Sequence, residues 1–341
     1  MNVQSIKDKL KNVAKTNFRL YQELLTVYGL ERALFRIGKS KYRENFTLKG
    51  GIFLYALYGK DYPRSTSDID LRADKISGTL ESLLSIFGEI FSIPADDGLV
   101  FDLASLKARE IKKQDEYLGT NISITALLGN TRLPMSIDIG FGDVIVPSKK
   151  EMSFPVLLDM ECPQIYGYSI ESVLAEKFEA IVSLGYANSR FKDFYDIYVI
   201  LQSEKIDVEL LQEAIIQTFQ NRKTTFDDIV VFEDSFATDV ERVKRWNAFV
   251  KKKNAMVQVT FDKVVLASFK AFLYFLKTSI FLTILAKMAS FMPKFIYISG
   301  ECPILASSYF LIWNIIPKHR KFGNMALYWA KNMFVIRILP N

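Results

Sequence analysis

The chain has 341 residues, half of them hydrophobic and 24% charged, with a formal net charge of +6, one histidine and two cysteines. That is enough for two domains, or for one domain with a helical extension, and the composition is that of a folded globular protein. A lone histidine, His319, and two isolated thiols, Cys162 and Cys302, argue against histidine acid–base chemistry, a Cys/His zinc site and a disulfide scaffold.

The first residues, MNVQSIKDKLKNVAKTNF, are charged and contain no apolar core of a secretory signal, so a cytoplasmic location is expected. Ile6, Leu10 and Val13, then Leu20, Leu24, Leu25 and Tyr28, recur at helical spacing and predict helix over 3–37. Phe46–Leu48 reads as a short strand ending at the Gly50–Gly51 turn, and Ile52–Tyr58 as an apolar helix. A polar loop, Gly59–Ser67, leads into Asp68–Arg72, whose alternation of acid and aliphatic is that of a strand. A helix is expected over 78–91. Strands are expected at Asn121–Leu127 and Met135–Ile139, with Thr131–Pro134 turning between them. Pro147 and Pro155 flank a polar linker, and a boundary is placed there. After Ser169, which with Glu171 and Ser172 forms a capping signal, the pattern is helical over about 170–184, 191–202 and 207–220, and weaker beyond 237. The predicted architecture is a mixed α/β part over 1–150, a helical part over 151–278 and an apolar, basic tail over 279–341.

Charge is concentrated in that tail. From Lys263 onward ten Lys and Arg stand against one acid, Glu301. This suits a polyanionic partner, nucleic acid or an anionic membrane surface, as well as plain solvation of helix surfaces. The longest uncharged stretch, Cys302–Pro317, is broken by Pro303 and shorter than the roughly 20 residues that a spanning helix needs. It is expected to be buried or interfacial.

Three features carry chemistry. In a strand, residues i and i+2 share a face, so Asp68 and Asp70 project side by side. Adjacent carboxylates repel each other, and a hard divalent cation with substrate phosphates relieves that repulsion. Gly50 and Gly51 before them let backbone N–H groups approach a phosphate at a helix start, with Lys49 adding positive charge. Asp138, between Ile137 and Ile139, supplies a third carboxylate. Asp143, past Gly140 and Gly142, is its competitor in a loop. Such a set can hold two metal ions for in-line displacement at a nucleoside triphosphate. Finally, Lys177 falls in the middle of the apolar face of the helix over 170–184, where a lysine needs an anionic partner. Contact with a nucleotide phosphate is its expected task. Asp193 and Asp196, neighbours on one helix face, follow in Arg190-Phe-Lys-Asp-Phe-Tyr-Asp; Asp193 either pairs with Lys177 or acts as a base.

Leu48-Lys-Gly-Gly, Arg64-Ser-Thr-Ser-Asp-Ile-Asp-Leu, Ser136-Ile-Asp-Ile, Leu174-Ala-Glu-Lys-Phe-Glu-Ala and Arg190-Phe-Lys-Asp-Phe-Tyr-Asp-Ile-Tyr resemble, in this order, the motifs of the AbiEii/AbiGii toxins, relatives of the MenT toxins. The resemblance covers about residues 46–200. It implies an α+β fold: a polymerase-β-type nucleotidyltransferase core of mixed sheet and helices, then a mostly helical C-terminal domain. It also implies Mg²⁺ or Mn²⁺ and a nucleoside triphosphate. In it Lys49, Gly50, Gly51, Arg64, Ser67 and Lys177 bind nucleotide; Asp68, Asp70 and Asp138 hold metal; and Lys177 and Asp193 match positions essential in the MenT relatives. The implied acceptor is RNA, the 3′ end of tRNA for MenT-type members, whose modification blocks translation. The implied partner is an antitoxin of winged-helix repressor type. The tail departs from the family pattern. Competing readings are transfer to a protein or small molecule, nucleotide binding without turnover, and a membrane-associated effector acting through the tail.

Overall fold

A computed structural model describes residues 2–59, 66–113, 117–225, 229–252 and 258–275. The tail, with the expectations placed on it, lies outside these residues. The first part of the chain runs α1 (Val3–Thr16), α2 (Tyr21–Lys39), β1 (Phe46–Lys49), α3 (Gly50–Tyr58), β2 (Ile69–Ala73), α4 (Leu80–Phe91), β3 (Leu99–Lys113), β4 (Tyr117–Leu128) and β5 (Thr131–Phe141). There follow β6 (Lys150–Ser153), β7 (Gln164–Gly167), α5 (Ile170–Leu184), α6 (Phe191–Ser203), α7 (Val208–Asn221), α8 (Asp234–Thr238), α9 (Val240–Lys252) and α10 (Phe261–Phe275).

The strands form one mixed sheet of seven in the order β3-β4-β5-β2-β1-β7-β6. β3, β4 and β5 are an antiparallel meander; β2 pairs parallel with β5 and antiparallel with β1; β7 pairs parallel with β1. Strand periodicity sorts the side chains. Phe46, Leu48, Ile69, Leu71, Ile122, Ile124, Ile137 and Ile139 are buried on one face, together with Phe87 and Ile90 of α4 and Tyr28 and Leu34 of α2. Each such aliphatic side chain contributes about 1.5–3 kcal/mol on burial. The alternate residues, among them Asp70 and Asp138, therefore emerge on the opposite face.

The helical part packs round an aromatic core in which Trp246 and Phe261 lie 5.3 Å apart, ring to ring, with Phe191 and Phe194 against Phe261. It is joined to the sheet by its own capping signal. Ser169 caps α5 by accepting from the Ser172 N–H at 3.1 Å, and its hydroxyl donates to Val146 O. Ser172 Oγ accepts from the Val146 N–H at 2.8 Å.

Four expectations need correction. The helix over 3–37 is two helices, because Phe18 takes a left-handed conformation (φ +52°) and the Arg19 N–H closes back on Ala14 O. That is a helix-ending pattern usually signalled by glycine. Thr131–Pro134 is not a turn: it opens β5, and the turn is at Gly129, with φ +58°, and Asn130. The polar linker after Pro147 contains β6, an exposed edge strand. Strand β3 was not anticipated at all; its alternation breaks at a bulge between Asp102 and Lys107.

Helix α2 buries three charges, Glu31, Arg32 and Arg36. Arg36 forks onto Asp97 at 2.7 and 3.2 Å, Arg32 donates to Glu161 O, and Glu31 accepts from the Leu157 N–H at 2.8 Å. Burial pushes the Glu31 carboxyl up to about 7 against the pull of Arg32 and Leu157. A raised carboxyl stabilises the fold fully below its unfolded value near 4.5, and that contribution is lost as pH rises through about 7. The urea stability of the protein is therefore expected to fall by a few kcal/mol between pH 5 and pH 8 on this account. Glu31→Gln removes that slope. Parallel curves for the two proteins would show that Glu31 stays ionised throughout.

Candidate active site

The parallel register of β2 on β5 sets Asp70 opposite Asp138, and Asp68 precedes β2 on the same side as Asp70. Carboxylate oxygens of all three lie within 4.8 Å of one another, the one such group among the described residues. The register carries the row further. Lys49 stands opposite Asp70, Asn121 opposite Asp138 and Arg109 opposite Asn121, so one polar row crosses five strands. Within it Asn121 Nδ2 donates to Asp138 Oδ1 at 2.6 Å and to Ser136 Oγ at 2.6 Å, and Arg109 Nε donates to Asn121 Oδ1 at 3.0 Å. Asn121 is buried. It fixes Asp138 and was missed in the sequence, where a polar residue in a strand has no evident partner.

Burial raises the Asp70 carboxyl above its ordinary range; Asp68 and Asp138 add to this, while Lys192 and Lys49 oppose it. The group is thus short of positive charge. An all-oxygen set of three converging carboxylates fits a hard divalent cation.

Gly50 makes this convergence possible. Its φ is +66°, and a Cβ on it would lie 2.0 Å from Asp70 Oδ2. Gly50 and Gly51 open α3, whose first N–H groups have no side-chain cap. Those donors lie beside Asp70 and are available to an anion. Gly50→Ala is expected to displace the Asp70 carboxylate and cost at least tenfold in turnover, with a lower melting temperature from the strained backbone. Full activity in that variant would place the reacting phosphate away from α3.

The other nucleotide-binding candidates divide. Ser67 is exposed next to Asp68, and Arg64 lies outside the described residues. Lys49 is committed to the protein: its ammonium pairs with Asp143 and with Glu176 at 3.2 Å. Asp143 also binds Arg222 at 2.9 Å, and Arg222 binds Glu179 at 2.7 Å. Although burial opposes it, Lys49 and Arg222 hold the Asp143 carboxyl well below the usual range. Asp143 is a clamp between sheet and helices, set apart from the three converging carboxylates.

Lys177 and Asp193 meet as the helix phase requires. Lys177 Nζ, buried, donates to Asp193 Oδ1 at 3.0 Å and to Asp196 Oδ2 at 2.7 Å. Arg190 also binds Asp193. Against the effect of burial, Lys177 and Arg190 hold Asp193 far below the ordinary carboxylate range, which makes it a poor base. Of the two roles considered for Asp193, the structure shows the pairing. Lys192, next to Asp193 on α6, lowers the pKa of the Asp193 carboxyl as well. It makes no ion pair among the described residues, and its charge acts on Asp70. Lys192 and Arg190 are cations at the carboxylates that the sequence reading left without a role.

Three carboxylates on or beside adjacent strands, a glycine-opened helix beside them and cations at the start of α6 are what a nucleotidyl-transfer site requires. The family model of the AbiEii nucleotidyltransferase toxins of type IV toxin–antitoxin systems matches residues 32–270, and the chain belongs to that family and is a nucleotidyltransferase. Among solved structures it is similar to MenT4, a nucleotidyltransferase toxin of Mycobacterium tuberculosis H37Rv, at 14% identity and a TM-score of 0.48, covering 79% of this chain and 99% of that one. It is also similar to JHP933 of Helicobacter pylori, at 15% identity and a TM-score of 0.41, covering 77% and 93%. No curated protein matches it significantly.

Proposed function

We propose that the protein transfers nucleotides from a nucleoside triphosphate to the 3′ end of an RNA, tRNA being the acceptor, and so stops translation. The observation that carries this is the convergence of Asp68, Asp70 and Asp138 beside the start of α3. Mg²⁺ or Mn²⁺ held by these carboxylates would lower the pKa of the attacking hydroxyl and neutralise the leaving pyrophosphate. Asn121 orients Asp138 toward that site. The N–H groups of Gly50 and Gly51, with Lys192 and Arg190, take the triphosphate oxygens, and Ser67 flanks them. Lys177 holds α6, through Asp193 and Asp196, where Lys192 and Arg190 reach the phosphates. The RNA 3′-oxygen bonds to the α-phosphorus, the bond to pyrophosphate breaks, and the hydroxyl proton leaves to solvent. A cognate antitoxin, of winged-helix repressor type, restrains the activity in the cell. Contact of the tail with a membrane surface is a lesser reading; among the described residues no helix is long and apolar enough to cross a membrane.

The test is incubation of the purified protein with total tRNA, Mg²⁺ and each labelled triphosphate in turn, beside Asp70→Asn. Label on tRNA that is absent from the variant supports the reading and names the nucleotide. Label that goes instead to a protein or small molecule in an extract would sink it.

A further inference from the structure

Among the described residues, nothing covers Lys107, Arg109, Arg132 and Pro134, which are exposed on the face of the meander beyond the three carboxylates. On the opposite face the same strands bury Ile122, Ile124, Ala126, Leu133 and Met135, so packing has fixed which residues turn outward. Outward from β4 come Asn121, Ser123 and Thr125; from β5, Arg132, Pro134, Ser136 and Asp138; from β3, beyond the bulge, Lys107 and Arg109. Lys107, Arg109 and Arg132 are exposed. None of the three has an ion-pair partner among the described residues, although Arg109 lends its Nε to Asn121. One carboxylate of β3, Asp102, shares this face, opposite Thr125. The surface thus carries hydroxyls and unneutralised cations, with exposed Val100 and half-buried Leu127 beside Arg132 at its far end, and its row of Arg109 and Asn121 leads to Asp138.

We propose that this strip is the acceptor-binding surface, and that it takes the phosphodiester backbone of single-stranded RNA leading to the 3′ end. The proposal rests on the nucleotidyl-transfer reading above. Charge complementarity chooses the occupant. Three cations without ion-pair partners beside a row of hydroxyl donors suit a chain of phosphates. Position supports the choice. A backbone lying over Lys107 and Arg132 and passing Arg109 ends at Asp138, the carboxylate farthest from α3 and its triphosphate donors. The two substrates then approach the carboxylates from opposite sides, as in-line displacement requires.

Lys107→Glu and Arg132→Glu are each expected to raise the KM for RNA at least fivefold, with the KM for the triphosphate unchanged. Each neutralised contact also lowers the slope of log KM against log salt by about 0.7. Lys107→Gln gives a smaller rise in the same direction. Lys150→Glu, the same charge change on β6 at the far edge of the sheet, leaves the RNA KM where it was. If the wild-type protein labels RNA and the strip variants keep its RNA KM, this surface assignment is overturned while the function stands. If it labels a protein and no RNA, both fall.

Discussion

Asp70→Asn is expected to abolish nucleotidyl transfer, by on the order of a thousandfold or more, and to raise the melting temperature of the metal-free protein. The two effects have one origin. Asp70 is a carboxylate pressed between burial and two like charges, Asp68 and Asp138, with Lys192 and Lys49 only partly relieving it. Neutralising it removes that repulsion and preserves the shape required beside Gly50, where even a Cβ would not fit. On the proposed mechanism the carboxylate is kept at a cost to stability because charge there would be needed when phosphates and a divalent cation arrive, an interaction worth several kcal/mol in the transition state. Scanning calorimetry with and without Mg²⁺ separates this from a structural role. The wild-type protein is expected to gain melting temperature on adding Mg²⁺, since ligand binding to the native state alone stabilises it. The variant starts higher and gains little. A variant that melts well below the metal-free wild type would mean that Asp70 holds the sheet together.

What could be read in advance followed from periodicity, and what could not followed from long-range pairing. Strand alternation places Asp68 and Asp70 on one side, and the parallel register of β2 on β5 adds Asp138, as the sequence implied. The apolar face of α5 likewise demanded an anion for Lys177, and Asp193 supplies it. Lys49 looked available beside the glycines, yet it is neutralised by Asp143 and Glu176, residues 94 and 127 positions away. Nothing local to Lys49 reports those partners. Lys192 sat in a segment already singled out, but its bearing on Asp70 depends on where α6 lies against β2. Strand β3 escaped because one of its faces is open to solvent and its phase slips at the bulge, so neither hydrophobic alternation nor a continuous apolar run marks it. The same exposure that hid β3 leaves Lys107 and Arg109 facing solvent.

Lys177→Ala is expected to be the most destabilising single change in the helical part. The ammonium sits between Asp193 and Asp196, each about 2% exposed or less, one turn apart on α6. Its removal takes away the ammonium that two buried carboxylates share, while Asp193 keeps its pair with Arg190. Breaking a buried pair in this way costs about 3–5 kcal/mol, or a fall of about 4–7 °C in melting temperature for a chain of this size. Asp196 lies nearer the ammonium, at 2.7 Å against 3.0 Å for Asp193, and feels its loss directly. Lys177→Ala combined with Asp196→Asn should therefore recover a large part of the lost stability. Measuring triphosphate KM in the stabilised double variant then divides the two roles of Lys177. If the ammonium only holds α6 in place, the restored fold brings Lys192 and Arg190 back to the phosphates and KM returns toward the wild-type value. If KM stays high in a protein that melts normally, Lys177 reaches the nucleotide itself, and its two aspartates serve to hold the ammonium until a phosphate takes their place.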